Sequence, residues 1–140
     1  MTTIVDYGAG NLRSVQNTLD ELGGSYVVTS DPAMVLRADK VILPGVGHFG
    51  QMMRAMDELG LRDPVIERIR AGTPFLGICI GLQCLFESSE ESPASKGLGV
   101  FPGRIRRFSG NARIPHMGWN SLETSRPSRL LSGLEEGAFT

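Results

Sequence analysis

An open, mostly parallel α/β sheet with helices on both faces is the fold that this sequence predicts. Four short apolar runs, each bounded by turn residues, have the length and composition of buried strands. Between them lie segments whose apolar residues recur at helical spacing. Alternation of the two gives parallel strands, because each helical crossover returns the chain to the same end of the sheet. The 140 residues fit one ordinary domain, read as a single unit over 1–140.

The elements follow in order. TTIV (2–5) reads as a strand running into the turn-rich DYGAG. Asn11 is an N-cap for a helix carrying Leu12, Val15, Leu19 and Leu22 on one face. Gly23 and Gly24 end that helix by accepting left-handed backbone. YVVT (26–29) and KVILP (40–44) are the second and third strands. A helix over FGQMMRAMDELG then places Phe49, Met52, Met53, Met56 and Leu59 on one face, with the methionines as core filling. Asp63-Pro64 reads as an N-cap followed by proline at the first helical position, ahead of Val65, Ile66 and Ile69. Gly72 closes this helix and PFLGI (74–78) is the fourth strand. Beyond residue 87 the style changes. ESSEESPASKG (87–97) reads as a polar, acidic loop, and GRIRRF (103–108) and MGWNSLE (117–123) as shorter strands. Arg104, Arg106 and Arg107 are most simply a solvated strand face, with an anion or partner contact as the alternative.

Several function classes are disfavoured. A formal net charge of -1 gives no attraction to nucleic acid or to an anionic membrane. No apolar run approaches the length of a membrane span, and the first residues lack the basic and apolar regions of a signal peptide. Two cysteines five residues apart suit a reduced cytoplasmic protein better than a disulfide framework. Their spacing does not match a CxxC redox or zinc pair. Nothing in the sequence calls for a metal or an organic cofactor.

The chemistry concentrates in GICIG (77–81), a G-x-C-x-G pentapeptide between an apolar strand and a segment with helical spacing at Leu82, Leu85 and Phe86. An abrupt strand-to-helix turn holds its corner residue in a strained conformation, exposed at the carboxyl end of the sheet. Gly77 and Gly81 leave room for the turn. Cys79 is the corner and a candidate nucleophile, favoured as thiolate by the helix N-terminus. The alternative is a small buried hydrophobe. The Ile80 N–H is placed to serve as half of an oxyanion hole. Cys84 falls on another helical face, with packing as its role. Gln83 shares the Cys79 face and is either a substrate contact or an exposed helical glutamine. In LPGVGHFG (43–50), glycines around Val46 permit backbone that turns N–H groups toward the crevice, a source for a second oxyanion donor. Both loops lie at the carboxyl ends of strands, where open parallel sheets bind ligands.

Together DYGAGNLRSV (6–15), LPGVGHFG (43–50), GICIGLQCLFE (77–87) and PHMGWN (115–120) resemble the glutaminase subunits of imidazole glycerol phosphate synthases. These are class I, triad-type glutamine amidotransferases. The resemblance spans essentially the whole chain and implies a flavodoxin-like α/β fold. It implies that Cys79 attacks the side-chain amide of glutamine, releasing ammonia and leaving a thioester that water hydrolyses. Val46, Gly47 and Ile80 would bind the oxyanion and Gln83 the substrate. Ammonia would pass to a cyclase subunit, a (β/α)8 barrel, in a cytoplasmic heterodimer. Asn11, Trp119 and Asn120 would face that partner; from the residues alone, Trp119 is equally a core or edge aromatic.

The triad also needs a base and a carboxylate. In the family these come from an HPE-like motif that is not found in these residues. The two histidines, His48 and His116, match neither position. The expectation is a C-terminally incomplete amidotransferase domain, with negligible glutaminase activity by itself, exposed apolar surface and an unpaired sheet edge. Two alternatives stand beside it: the glutaminase of another amidotransferase, and a non-catalytic binding domain that lacks the base.

Overall fold

The computed structural model describes residues 1–110, 118–123 and 125–134. The chain divides into two compact units, Met1–Arg107 and Phe108–Thr140. The first unit holds β1 (Thr2–Val5), α1 (Leu12–Glu21), β2 (Tyr26–Thr29), α2 (Pro32–Leu36), β3 (Lys40–Gly45), α3 (Phe49–Glu58), α4 (Arg62–Arg70), β4 (Phe75–Cys79), α5 (Ile80–Gln83), β5 (Phe86–Ser89) and β6 (Phe101–Ile105).

The first four strands form one parallel sheet in the order β2-β1-β3-β4. Right-handed crossovers put α1 on one face, because β1 to β2 steps one way across the sheet. They put α2, α3 and α4 on the other, because β2 to β3 and β3 to β4 step the opposite way. Side chains alternate between the faces. Val5, Val41 and Leu43 point into the main core, where Val35, Phe49, Met52, Met53, Met56, Leu61 and Val65 are almost fully buried. The methionines therefore fill the core, as their spacing predicts. On the opposite face Ile4 is buried, but Leu76 and Ile78 of the edge strand β4 remain 40% and 38% exposed. The α1 face points the same way: its Leu12, Val15 and Leu19 are only half-buried.

Several expectations need correction. The second helix of the β3–β4 crossover begins at Arg62, after buried Leu61, so Asp63 sits inside the first turn and caps nothing. Pro64 is tolerated there, because first-turn N–H groups have no intrahelical partner. Leu59 lies just beyond α3 and is exposed. The segment after Cys79 is one helical turn, and Phe86 opens a strand. The helix stops because carbonyls that would have continued it are claimed from outside. Leu98 N–H donates to Cys84 O at 2.7 Å, Val100 N–H to Leu85 O at 2.8 Å and Gly97 N–H to Glu87 O at 2.8 Å.

The acidic loop is likewise more structured than its composition suggests. Glu87 accepts from Gly103 N–H at 2.9 Å and Glu90 from Arg107 N–H at 3.0 Å, lacing β5 to β6 and the chain beyond it. The sixth strand starts at Phe101, two residues earlier than GRIRRF, and the rings of Phe86 and Phe101 pack 5.8 Å apart. In the second unit residues 118–123 contain one bridge residue, Ser121, and form no strand; Met117 and His116 lie outside the described residues. A short turn closes there through Leu131 N–H to Ser128 O at 3.2 Å.

Candidate active site

Cys79 is the last residue of β4 and the residue from which α5 starts. Its φ of 55° and ψ of -117° make it the one non-glycine residue with positive φ among those described. Such backbone costs an L-residue on the order of 1–3 kcal/mol. The surrounding glycines enforce it. A Cβ on Gly77 would lie 2.6 Å from Gly81 O, and one on Gly45 would lie 2.9 Å from Ile80 C. One on Gly81 would collide with the carbonyl oxygen of Leu43. The turn of α5 thus lies directly against the backbones of β3 and β4. The expected corner is present, and Cys79 is exposed, which removes the reading of a small buried hydrophobe. The helix behind it has four residues, so the dipole invoked for the thiolate is that of a single turn.

Cys84 differs in every respect. It caps the C-terminus of α5, is fully buried, and its Sγ–H donates to Gly81 O at 3.2 Å. Burial pushes its thiol up to about 12, against an ordinary 9.0. Below pH 9 both folded and unfolded chains keep the proton, and stability is insensitive to this group. Between 9.0 and about 12 the unfolded chain loses the proton while the folded chain keeps it, so stability falls as pH rises. The expected slope reaches ~1.4 kcal/mol per pH unit. Urea midpoints of wild type and Cys84→Ala between about pH 8.5 and pH 11 check this. The variant removes this component and leaves that of the tyrosines; parallel pH profiles for the two proteins would contradict it.

The second loop follows β3. Its Gly45 pairs in register with Cys79, so Val46 and Ile80 are the residues that leave the two neighbouring strands at the same end of the sheet. Gly47 has φ +88°, the left-handed backbone expected of the loop. The Val46 N–H donates to the Tyr7 hydroxyl at 3.1 Å. His48 is the N-cap of α3: its Nδ1 accepts from Gly50 N–H at 3.2 Å. In the neutral ring the proton then sits on Nε2, and the accepting nitrogen is occupied, which argues against His48 as a surrogate base. Glu91 accepts from Phe49 N–H at 2.7 Å, placing a carboxylate on the first turn of α3.

Tyr7 and Glu91 are the residues of this neighbourhood that sequence reasoning missed. Gln83 ends α5, half-buried. Asn11 caps α1 by accepting from Ser14 N–H at 3.4 Å. Trp119 and Asn120 belong to the second unit, where Trp119 is 83% exposed. No three acidic, His or Cys side chains among the described residues are grouped to hold a metal ion. No helix there is long and apolar enough to cross a membrane.

Comparison with known proteins matches residues 3–139 to the model of the family "Glutamine amidotransferase class-I". Imidazole glycerol phosphate synthase subunit HisH of Syntrophotalea carbinolica is 46% identical, over 98% of this chain and 70% of that protein. HisH of Desulfitobacterium hafniense is 48% identical, over 99% and 66%. HisH of Thermus thermophilus is 51% identical, over 93% and 65%. The chain thus spans about two thirds of the length of the curated relatives that it matches. A crystal structure of a glutamine amidotransferase superposes with a TM-score of 0.66 at 22% identity, covering 80% of this chain and 59% of that one, and shares the fold.

Proposed function

This chain belongs to the class-I glutamine amidotransferase family, alongside the HisH subunits, and from that we propose that it provides the glutaminase function of an imidazole glycerol phosphate synthase. The observation that carries the proposal is the exposed Cys79 in its strained corner, one strand away from a glycine-flanked loop. The Cys79 sulfur bonds to the side-chain amide carbon of glutamine and the carbonyl oxygen takes up negative charge. The carbon–nitrogen bond then breaks, and the nitrogen gains a proton and leaves as ammonia. Water hydrolyses the remaining thioester to glutamate and frees the thiol.

The Ile80 N–H and the loop at Val46 and Gly47 are the donors for the oxyanion. Gln83 holds the substrate. Neither His48 nor His116 is assigned as base. The chain by itself is accordingly proposed to turn glutamine over negligibly. Ammonia passes to a (β/α)8-barrel cyclase in a cytoplasmic heterodimer. Asn11, Trp119 and Asn120, all exposed, face that partner.

The test is a pull-down with a barrel cyclase, together with ammonia release from glutamine by the protein extended to the length of its relatives. Expected are a stable complex, glutamine-dependent ammonia from the extended protein, and almost none from the 140 residues. Binding to a different synthase in place of the cyclase, or an extended protein without glutaminase activity, would overturn the reading.

A further inference from the structure

We propose that Tyr7 is a positioning residue for the oxyanion loop: its hydroxyl competes with the substrate oxygen for the Val46 N–H. This rests on the reading of Cys79 as nucleophile and of Val46 as a donor. The place of the bond is its first support. From β1 the chain steps to β2 on one side of the sheet and reaches β3 on the other, so the ends of β1 and β3 flank the switch point where such sheets open a ligand crevice. Tyr7 lies two residues past β1 and Val46 one residue past β3. Their 3.1 Å hydrogen bond spans that crevice.

The second support is what each partner is free to do. The Tyr7 side chain is 4% exposed and packed in the main core, so its hydroxyl is a fixed post. Burial raises its pKa, so the hydroxyl stays neutral and can accept. Val46, by contrast, is exposed between Gly45 and Gly47, and its peptide can turn. An oxyanion accepts a hydrogen bond about twice as strongly as a neutral oxygen. It can therefore take the Val46 N–H from Tyr7, but only by breaking the existing bond. Removing the phenolic oxygen lowers that cost while keeping the ring in the core.

Two reagents separate this effect from general reactivity. The p-nitrophenyl γ-ester of glutamate acylates a thiolate: the sulfur–carbon bond forms, an oxyanion develops, and p-nitrophenolate leaves with the electron pair of the broken carbon–oxygen bond. Iodoacetamide alkylates the same thiolate with loss of iodide and develops no oxyanion. In the full chain, the ratio of acylation to alkylation at Cys79, located by peptide mass, is expected to rise about three- to tenfold in Tyr7→Phe, the worth of one neutral hydrogen bond. The alkylation rate is expected to stay within about twofold. An unchanged or lower ratio overturns the role of Tyr7 while leaving Cys79 as nucleophile. Alkylation without acylation at Cys79 in both proteins overturns the nucleophile reading and this proposal with it. Amide exchange in wild type is a check independent of the variant's folding. A protected Val46 N–H is expected, and exchange as fast as in an open loop contradicts the hydrogen bond.

Discussion

Gly81→Ala is expected to remove about 4 kcal/mol or more of stability, the range reached only by severe backbone or core lesions. The new methyl group would overlap the carbonyl oxygen of Leu43 and lie 2.9 Å from its carbonyl carbon. Both are main-chain atoms of β3, an interior strand hydrogen-bonded on each side, so no flexible side chain can yield. Typical overpacking in a core costs about 1–3 kcal/mol because neighbouring side chains shift. Here either the sheet must distort or α5 must lift from it, and lifting α5 pulls the corner at Cys79 apart. With total stability on the order of 5–15 kcal/mol, much of the fold's margin would be gone. Urea unfolding reads the loss. Gly24→Ala is the control: contrary to the expectation of left-handed backbone at both Gly23 and Gly24, only Gly23 has positive φ, and a Cβ on Gly24 would meet nothing closer than Leu19 O at 3.4 Å. It should change stability by less than about 1 kcal/mol. A Gly81→Ala protein as stable as the control variant would contradict the close packing of α5 on β3.

That packing was legible in the sequence because it is a local steric requirement. A cysteine at a strand end with glycines two residues to either side marks a backbone that must turn sharply in little space, and the short apolar strands were bounded by their own turn residues. The aspartate-proline signal read at Asp63-Pro64 was less secure. Asp31-Pro32 and Asp63-Pro64 are the same dipeptide, yet only Asp31 caps a helix, its Oδ1 accepting from Ala33 N–H at 2.8 Å. The difference lies in burial: Leu61 anchors the later helix start in the core, and α2 is too short to show a period. The strand FESS (86–89) carries too little apolar alternation to announce itself; it is held by Glu87, Glu90 and the carbonyls of the elbow segment. The bond between Tyr7 and Val46 was invisible for a different reason. It joins residues 39 apart, and only the order β2-β1-β3-β4 brings their loops together.

Cys79→Ser is expected to lower glutamine turnover by about 10³-fold or more in the assembled protein, whereas Cys84→Ser should leave kcat within about threefold. The two sulfurs sit five residues apart, so the contrast isolates position from chemistry. At Cys79 the side chain is exposed on a corner held by glycine packing, and serine there keeps the geometry while offering a far weaker nucleophile. At Cys84 the thiol is buried, donates to Gly81 O, and is pushed up to about 12, so thiolate is scarce at neutral pH. Serine can make the same bond from Cys84's position, and its cost should appear as ~1–2 kcal/mol of stability from placing a hydroxyl in an apolar site. The readouts are therefore crossed: Cys79→Ser affects turnover with little change in unfolding midpoint, and Cys84→Ser does the reverse. Turnover that survives Cys79→Ser and is lost in Cys84→Ser would move the nucleophile to the buried sulfur. It would also require a motion that opens α5 away from β3, against the backbone contacts that hold it there.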